Sequence, residues 1–124
     1  MLDTNAVRAL LERGSPQLDQ WFAEERCSIS VIVAAEIRFG LARRRLSAAR
    51  HSLVEDLLTV LPIEPFGPRA AQSYGTLRAE LMKAGITLSA MDLLIASHAL
   101  SEGCTLLTAD QAISQIPILK TLHW

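Results

Sequence analysis

Ser89–Thr108 reads SAMDLLIASHALSEGCTLLT, and its two halves follow different rules. Ser89 stands where a helix N-cap belongs, an apolar run follows, and Gly103 supplies the residue that most easily takes the left-handed turn at a helix end. The expected helix is Ala90–Glu102. Cys104–Thr108 (CTLLT) then forms an apolar strand without alternation of polar and apolar positions. Such a strand is buried on both faces, which is the situation in a parallel sheet covered by helices. Helix followed by buried strand is the repeating unit of an α/β fold.

The same grammar extends in both directions. Ile118–Leu122 is the next strand toward the C-terminus. Upstream, Pro68–Ala84 is helical and closed by Gly85, and Leu61–Phe66 (LPIEPF) is a short strand. Its prolines at 62 and 65 suit a sheet edge, because proline cannot donate to a ladder. Ser47 caps a further helix. Cys27–Ile32 (CSISVI) is a strand that passes into a helix from about Val33 through the Arg43-Arg44-Arg45 cluster. At the start, Met1–Asp3 is the stub of a first strand, Asn5–Arg13 a helix with Gly14 at its cap, and Ser15-Pro16 opens a second short helix. With no linker, repeat or low-complexity stretch, residues 1–124 form a single three-layer α/β domain. Ligands of such sheets gather beyond the carboxyl ends of the strands, so residues just after strands carry the search for function.

Composition narrows the possibilities. Of 124 residues 50% are hydrophobic, enough to build one core, and 12 Lys and Arg against 13 Asp and Glu leave a formal charge of -1. No global field marks a nucleic-acid or membrane partner, so any such site is local. Ten of the basic residues are Arg, the better residue for bidentate contact with carboxylate or phosphate. No apolar run approaches the roughly 18 residues of a membrane span, and Met1-Leu2-Asp3 does not open a signal peptide, so a cytoplasmic location is expected. Cys27 and Cys104 lack metal-ligand neighbours and read as small hydrophobes.

Four carboxylates stand out. Asp3 ends the first strand, Glu36 lies one turn into the helix after the second, Asp92 is in the first turn of the helix before the fourth, and Asp110 follows the fourth. Three of them have an ordinary structural account: Asp3 can cap the helix beginning at Asn5, Asp110 can cap a turn, and Ser89-Ala-Met-Asp92 is a capping-box pattern. Glu36 has none, being the only ionisable residue in Ser28–Ile37 (SISVIVAAEI). A carboxylate buried without a partner costs several kcal/mol, so it needs a cation or a hydrogen-bonding network. Gly40, Arg43 and Arg44 share its side of the helix. Those arginines either complement the helix end or form a phosphate-binding edge.

Several carboxylates without histidine suit a hard cation such as Mg²⁺ or Mn²⁺, which takes oxygen ligands and keeps several waters. Such an ion makes a nucleophile of bound water and offsets charge on a phosphoryl oxygen, so phosphodiester hydrolysis fits. His98, about 240° around its helix from Asp92, points away from it, and His51 and His123 have no ligand spacing.

These residues also form a recognisable series. Leu2-Asp3-Thr4-Asn5, Ala35-Glu36-Ile37-Arg38-Phe39-Gly40, Asp92–Leu100 and Thr108-Ala-Asp110 resemble, in order and spacing, the PIN-domain ribonucleases of the VapC toxin type, and Leu119–Trp124 resembles the family's ending. The resemblance spans almost the whole chain. It implies a parallel five-stranded sheet of order 3-2-1-4-5, counting Met1–Asp3 as the first strand, with Asp3, Asp92 and Asp110 around one crevice. It further implies a metal-dependent endoribonuclease, a homodimer, and a cognate antitoxin whose peptide covers the cleft. By position Asp3, Glu36, Asp92 and Asp110 carry the acidic site, Asp3 and Asp92 hold Mg²⁺ or Mn²⁺, and Asn5 supports Asp3. Arg43 and Arg44 are the candidates for contact with the RNA backbone. The antitoxin surface is placed near Leu10, Leu11, Trp21 and Phe39, residues that would otherwise belong to the core.

Three departures from the family pattern stand out: Val33 where relatives carry Thr or Ser, Ser89-Ala90-Met91 before the third acid, and only two residues before Asp3. The alternative is an inactive PIN-like module that binds RNA or protein, against which all four acids argue. A phosphate-accepting receiver domain needs a Lys at a strand end, where neither Lys83 nor Lys120 falls.

Overall fold

The computed structural model describes residues 1–124. Its sheet is built from short parallel ladders. β1 (Ile29–Ser30) pairs with β2 (Ile63–Glu64), and β3 (Leu106–Leu107) pairs with β4 (Thr121–Leu122). Leu2 makes a single parallel bridge to Ile29 on one side and to Leu107 on the other. Its N–H donates to the Ser28 carbonyl at 2.8 Å, the Met1 carbonyl accepts from Leu107 N–H at 2.8 Å, and Asp3 N–H donates to the Leu107 carbonyl at 3.1 Å. Leu2, Ile29 and Leu106 are each 0% exposed, as expected of strands covered on both faces.

Helices supply that cover: α1 (Thr4–Leu11), α2 (Pro16–Ala23), α3 (Val31–Arg43), α4 (Ala48–Val60), α5 (Pro68–Lys83), α6 (Ala90–Ser101) and the single turn α7 (Gln111–Ser114). Their ends agree closely with the sequence signals. The hydroxyls of Ser15, Ser47 and Ser89 accept from Leu18, Arg50 and Asp92 N–H, and Gly85 and Gly103 take φ of 70° and 63° past α5 and α6. Pro62 and Pro65 flank β2, an edge strand paired only to β1, where the Pro62 carbonyl accepts from Ile29 N–H at 2.9 Å.

Several boundaries differ from expectation, and every strand is shorter than its sequence suggests. The strand read as Cys27–Ile32 is only Ile29–Ser30, and α3 begins at Val31, not near Val33. Ser30 is the reason: its hydroxyl accepts from Ile32 N–H at 3.1 Å, and the helical turn then buries Val33 and Ala34. Packing outweighs the strand preference of Val-Ile-Val. α3 also stops at Arg43, leaving Arg44 as an extended cap and Arg45 outside it. At the end of α1 the left-handed residue is Arg13 (φ 50°) and not Gly14, whose N–H closes the turn on the Ala9 carbonyl at 2.8 Å. That places a side chain where the backbone favours none.

His98, which the helical phase turns away from Asp92, lies wholly inside. Its Nδ1 is 2.8 Å from Ser30 Oγ and its ring meets the Phe66 ring edge-on at 5.4 Å. Burial pushes its pKa down, which keeps the ring neutral in the core. Cys27 is buried and Cys104 half-buried, both as free thiols. No helix is long and apolar enough to cross a membrane.

Candidate active site: an acid-lined pocket beyond the strand ends

Asp3, Asp92 and Asp110 leave the ends of their elements toward one point, and Glu36 of α3 reaches the same place. Together with Thr4, Asn5 and Arg8 they line a pocket of about 150 Å³ with no apolar residue in its wall. All four acids read from the sequence are therefore neighbours.

Each aspartate starts a helix as well. Asp3 Oδ1 accepts from Ala6 N–H at 2.6 Å and caps α1, while Asp110 Oδ1 accepts from Ala112 N–H at 2.7 Å and caps α7. Asp92 takes the third position of α6, where Ser89 Oγ accepts its N–H at 3.1 Å and donates to its Oδ2 at 2.5 Å. The capping and functional accounts are compatible, because the same three aspartates line the pocket. The N-terminal ends of α1 and α6 also bring partial positive charge to the cluster.

Glu36 accepts a hydrogen bond from the Thr4 hydroxyl, so α1 and α3 are tied at the pocket's edge. No basic group lies within ion-pair distance of it: the four ion pairs of the molecule are Arg26–Glu24, Arg38–Glu55, Arg50–Glu12 and Lys83–Glu80. The network needed by a lone acid in an apolar segment is the pocket itself. Asp3 is only 4% exposed. Burial pushes its carboxyl above the usual range, against hydrogen bonds from the Thr108 hydroxyl and the Ala6 and Asn5 N–H groups; the charge of Asp92 pushes it up further.

Four carboxylates facing one arginine make a donor set of hard oxygens with excess negative charge. No three His, Cys, Asp or Glu side chains converge tightly enough to ligate one ion together. That arrangement suits a cation touched by one or two carboxylates and reached by the others through water, the usual habit of Mg²⁺.

Residues 1–119 match the family model of the PIN domain. The chain belongs to the PIN-domain family. It is 33% identical over 129 residues to Ribonuclease VapC2 of Rickettsia felis, covering 100% of this chain and 96% of that protein. To Ribonuclease VapC2 of Haemophilus influenzae it is 30% identical over 127 residues, again covering 100% and 96%. Among solved structures, VapBC2 from Rickettsia felis bound to a DNA fragment from its promoter superposes with a TM-score of 0.89 at 30% identity, covering 100% of this chain and 97% of that one.

In this PIN domain a second cleft of about 330 Å³ opens from the first, sharing Thr4, Arg8 and Glu36 and continuing past Phe39, Gly40, Arg43, Arg44 and Arg50. The helical phase read from Glu36 through Gly40 to the arginines thus describes one wall of a real cleft. Asn5 is exposed at the pocket and meets Asp3 through its backbone N–H. Of the residues placed on an antitoxin surface, Leu10 is core at 8% exposure, Leu11 and Trp21 pack half-buried against the core, and only Phe39, 63% exposed, is free.

Thr4, Arg8 and Thr108 went unread as site residues. Thr4 and Arg8 are one turn apart on α1, so a capping Asp3 already puts them on the pocket face. Thr108 accepts from Asp110 N–H at 3.0 Å while its hydroxyl serves Asp3, so it joins two acids that are distant in sequence.

Proposed function

We propose that this PIN domain is a divalent-metal-dependent endoribonuclease and the toxin of a toxin–antitoxin pair. The observation that carries the reading is the pocket of Asp3, Glu36, Asp92 and Asp110, walled only by polar groups, at the carboxyl ends of the strands. Relatives that align along the whole chain and are named ribonucleases support it.

Asp3 and Asp92 hold Mg²⁺ or Mn²⁺, directly or through water, with Glu36 and Asp110 completing the cluster. A divalent ion so placed supplies a nucleophilic water near neutral pH and offsets charge on the phosphoryl oxygen. Asn5 and Thr108 fix the Asp3 carboxylate, and Thr4 fixes Glu36, so that the acids orient water for in-line attack on phosphorus. The bond to the 3′ oxygen breaks, leaving a 3′-hydroxyl and a 5′-phosphate. Arg43 and Arg44 contact the RNA backbone and confer salt dependence without base choice.

The two ladders and the bridges at Leu2 support reading the sheet as five parallel strands in the order 3-2-1-4-5, with Met1–Asp3 at its centre. We further propose a homodimer acting in the cytoplasm and restrained by an antitoxin peptide, as the VapBC assembly of the structural relative suggests. A cleft among α1, α2 and α4, lined by Leu11, Phe22, Leu53 and Val60 together with Arg13, Asp19 and Asp56, offers that peptide a surface.

Incubation of a mixed cellular RNA pool with the purified protein tests the activity. Discrete fragments are expected with Mg²⁺ or Mn²⁺ and none with chelator. Intact RNA at every metal concentration, from folded protein, would favour the inactive binding module.

A further inference from the structure

We propose that Arg8 binds the scissile phosphate, an assignment that rests on the ribonuclease reading above. Arg8 is exposed on α1 and is the only cation lining the acid pocket. It also lines the adjoining arginine-bearing cleft, so it stands where the two spaces meet.

Arg44 of that cleft is equally unpaired but does not line the acid pocket; from Arg50 and Arg43, Arg8 differs in availability. Arg50 is tied to Glu12 at 3.6 Å, and the Arg43 guanidinium lies 5.7 Å from the centre of the Phe39 ring. Arg8 is in none of the molecule's four ion pairs, although carboxylates share its pocket.

An unpaired arginine beside four acids has a physical task when the ligand is itself an anion. A phosphodiester entering this pocket meets repulsion from every carboxylate not neutralised by a cation. Arg8 can offset that repulsion with two parallel N–H donors to the non-bridging phosphate oxygens. From the junction of the two spaces it fixes one phosphate over the acids while the flanking strand runs toward Arg43 and Arg44. A competing role would be to neutralise the acids alone, and the two make opposite predictions.

The test uses Arg8→Gln and Arg8→Lys, exposed changes between good helix formers that leave α1 intact. Binding of a labelled oligouridylate is followed by anisotropy across salt concentrations in chelator, and cleavage of cellular RNA across Mg²⁺ concentrations. Arg8→Gln should weaken binding several-fold and flatten the slope of log affinity against log salt by about 0.7, one single-strand phosphate contact. Arg8→Lys should restore the slope but not the cleavage rate, since it keeps the charge and loses the fork. An unchanged slope in Arg8→Gln, with half-maximal cleavage at lower Mg²⁺, would show that Arg8 only offsets the acids and would overturn the assignment. Wild-type protein that neither binds nor cuts RNA would overturn the ribonuclease reading itself, and this one with it.

Discussion

Asp92→Asn should reduce metal-dependent RNA cleavage by about a hundredfold or more while leaving the fold intact. The substitution keeps size and shape and removes the charge that a cation requires. The local structure survives because the bond at stake is one asparagine can still make. Ser89 Oγ donates to Asp92 Oδ2 at 2.5 Å and accepts the residue 92 N–H at 3.1 Å, and the amide oxygen of asparagine accepts in the same place. Cleavage rates and thermal melts on the same preparation separate the two effects. A variant with an unchanged melting temperature and activity within tenfold of wild type would remove Asp92 from the site.

Asp3→Asn should lose activity to a similar degree and gain stability. Asp3 is 4% exposed, and its burial raises its carboxyl pKa above the ordinary value near 3.8. A group that binds its proton more tightly when folded contributes its stability below the unfolded pKa and loses it as pH rises through the folded pKa. At pH 7 the buried Asp3 carboxyl therefore costs stability, and asparagine removes that cost while remaining an equally good N-cap for α1. Calorimetry should find the variant melting higher than wild type at pH 7, with the gap closing as pH falls toward 4. Added Mn²⁺ should raise the wild-type melting temperature more than that of the variant, because only the carboxylate binds the ion well. A variant that melts lower at pH 7 would mean that Asp3 is held by its hydrogen bonds more than it is strained by burial. Stability surrendered at a functional residue is a common trade, and here both halves fall on one side chain.

Much of this was legible in the chain because helix ends are local. Ser15-Pro16, Ser47, Ser89, Gly85 and Gly103 act within four residues of themselves, and each does what its chemistry favours. The strands were harder. Val31-Ile32-Val33 prefers an extended chain by itself, and only the Ser30 cap and the burial of Val33 make it helical. The acids were legible for different reasons: Glu36 because nothing nearby could partner it, the aspartates through their places after strands and at helix starts. That Asp3 and Asp110 cap helices and that Asp92 belongs to the Ser89 cap was a sound reading of each, and the structure shows the same residues lining the pocket. What the chain could not display was Thr108 joining Asp3 to Asp110, Thr4 reaching Glu36, or Arg8 entering an acid pocket. Those relations exist only once α1, α3 and β3 stand side by side.

The end groups of the RNA fragments test the central claim most directly, since they report which bond broke and what attacked it. Fragments made in Mg²⁺ or Mn²⁺ should accept ligation through a 5′-phosphate and carry a 3′-hydroxyl, and they should disappear in chelator and in Asp92→Asn. Fragments with 5′-hydroxyl and cyclic-phosphate ends, formed equally with or without chelator, would mean that the RNA's own 2′-hydroxyl is the nucleophile, and that the four carboxylates do not do this chemistry.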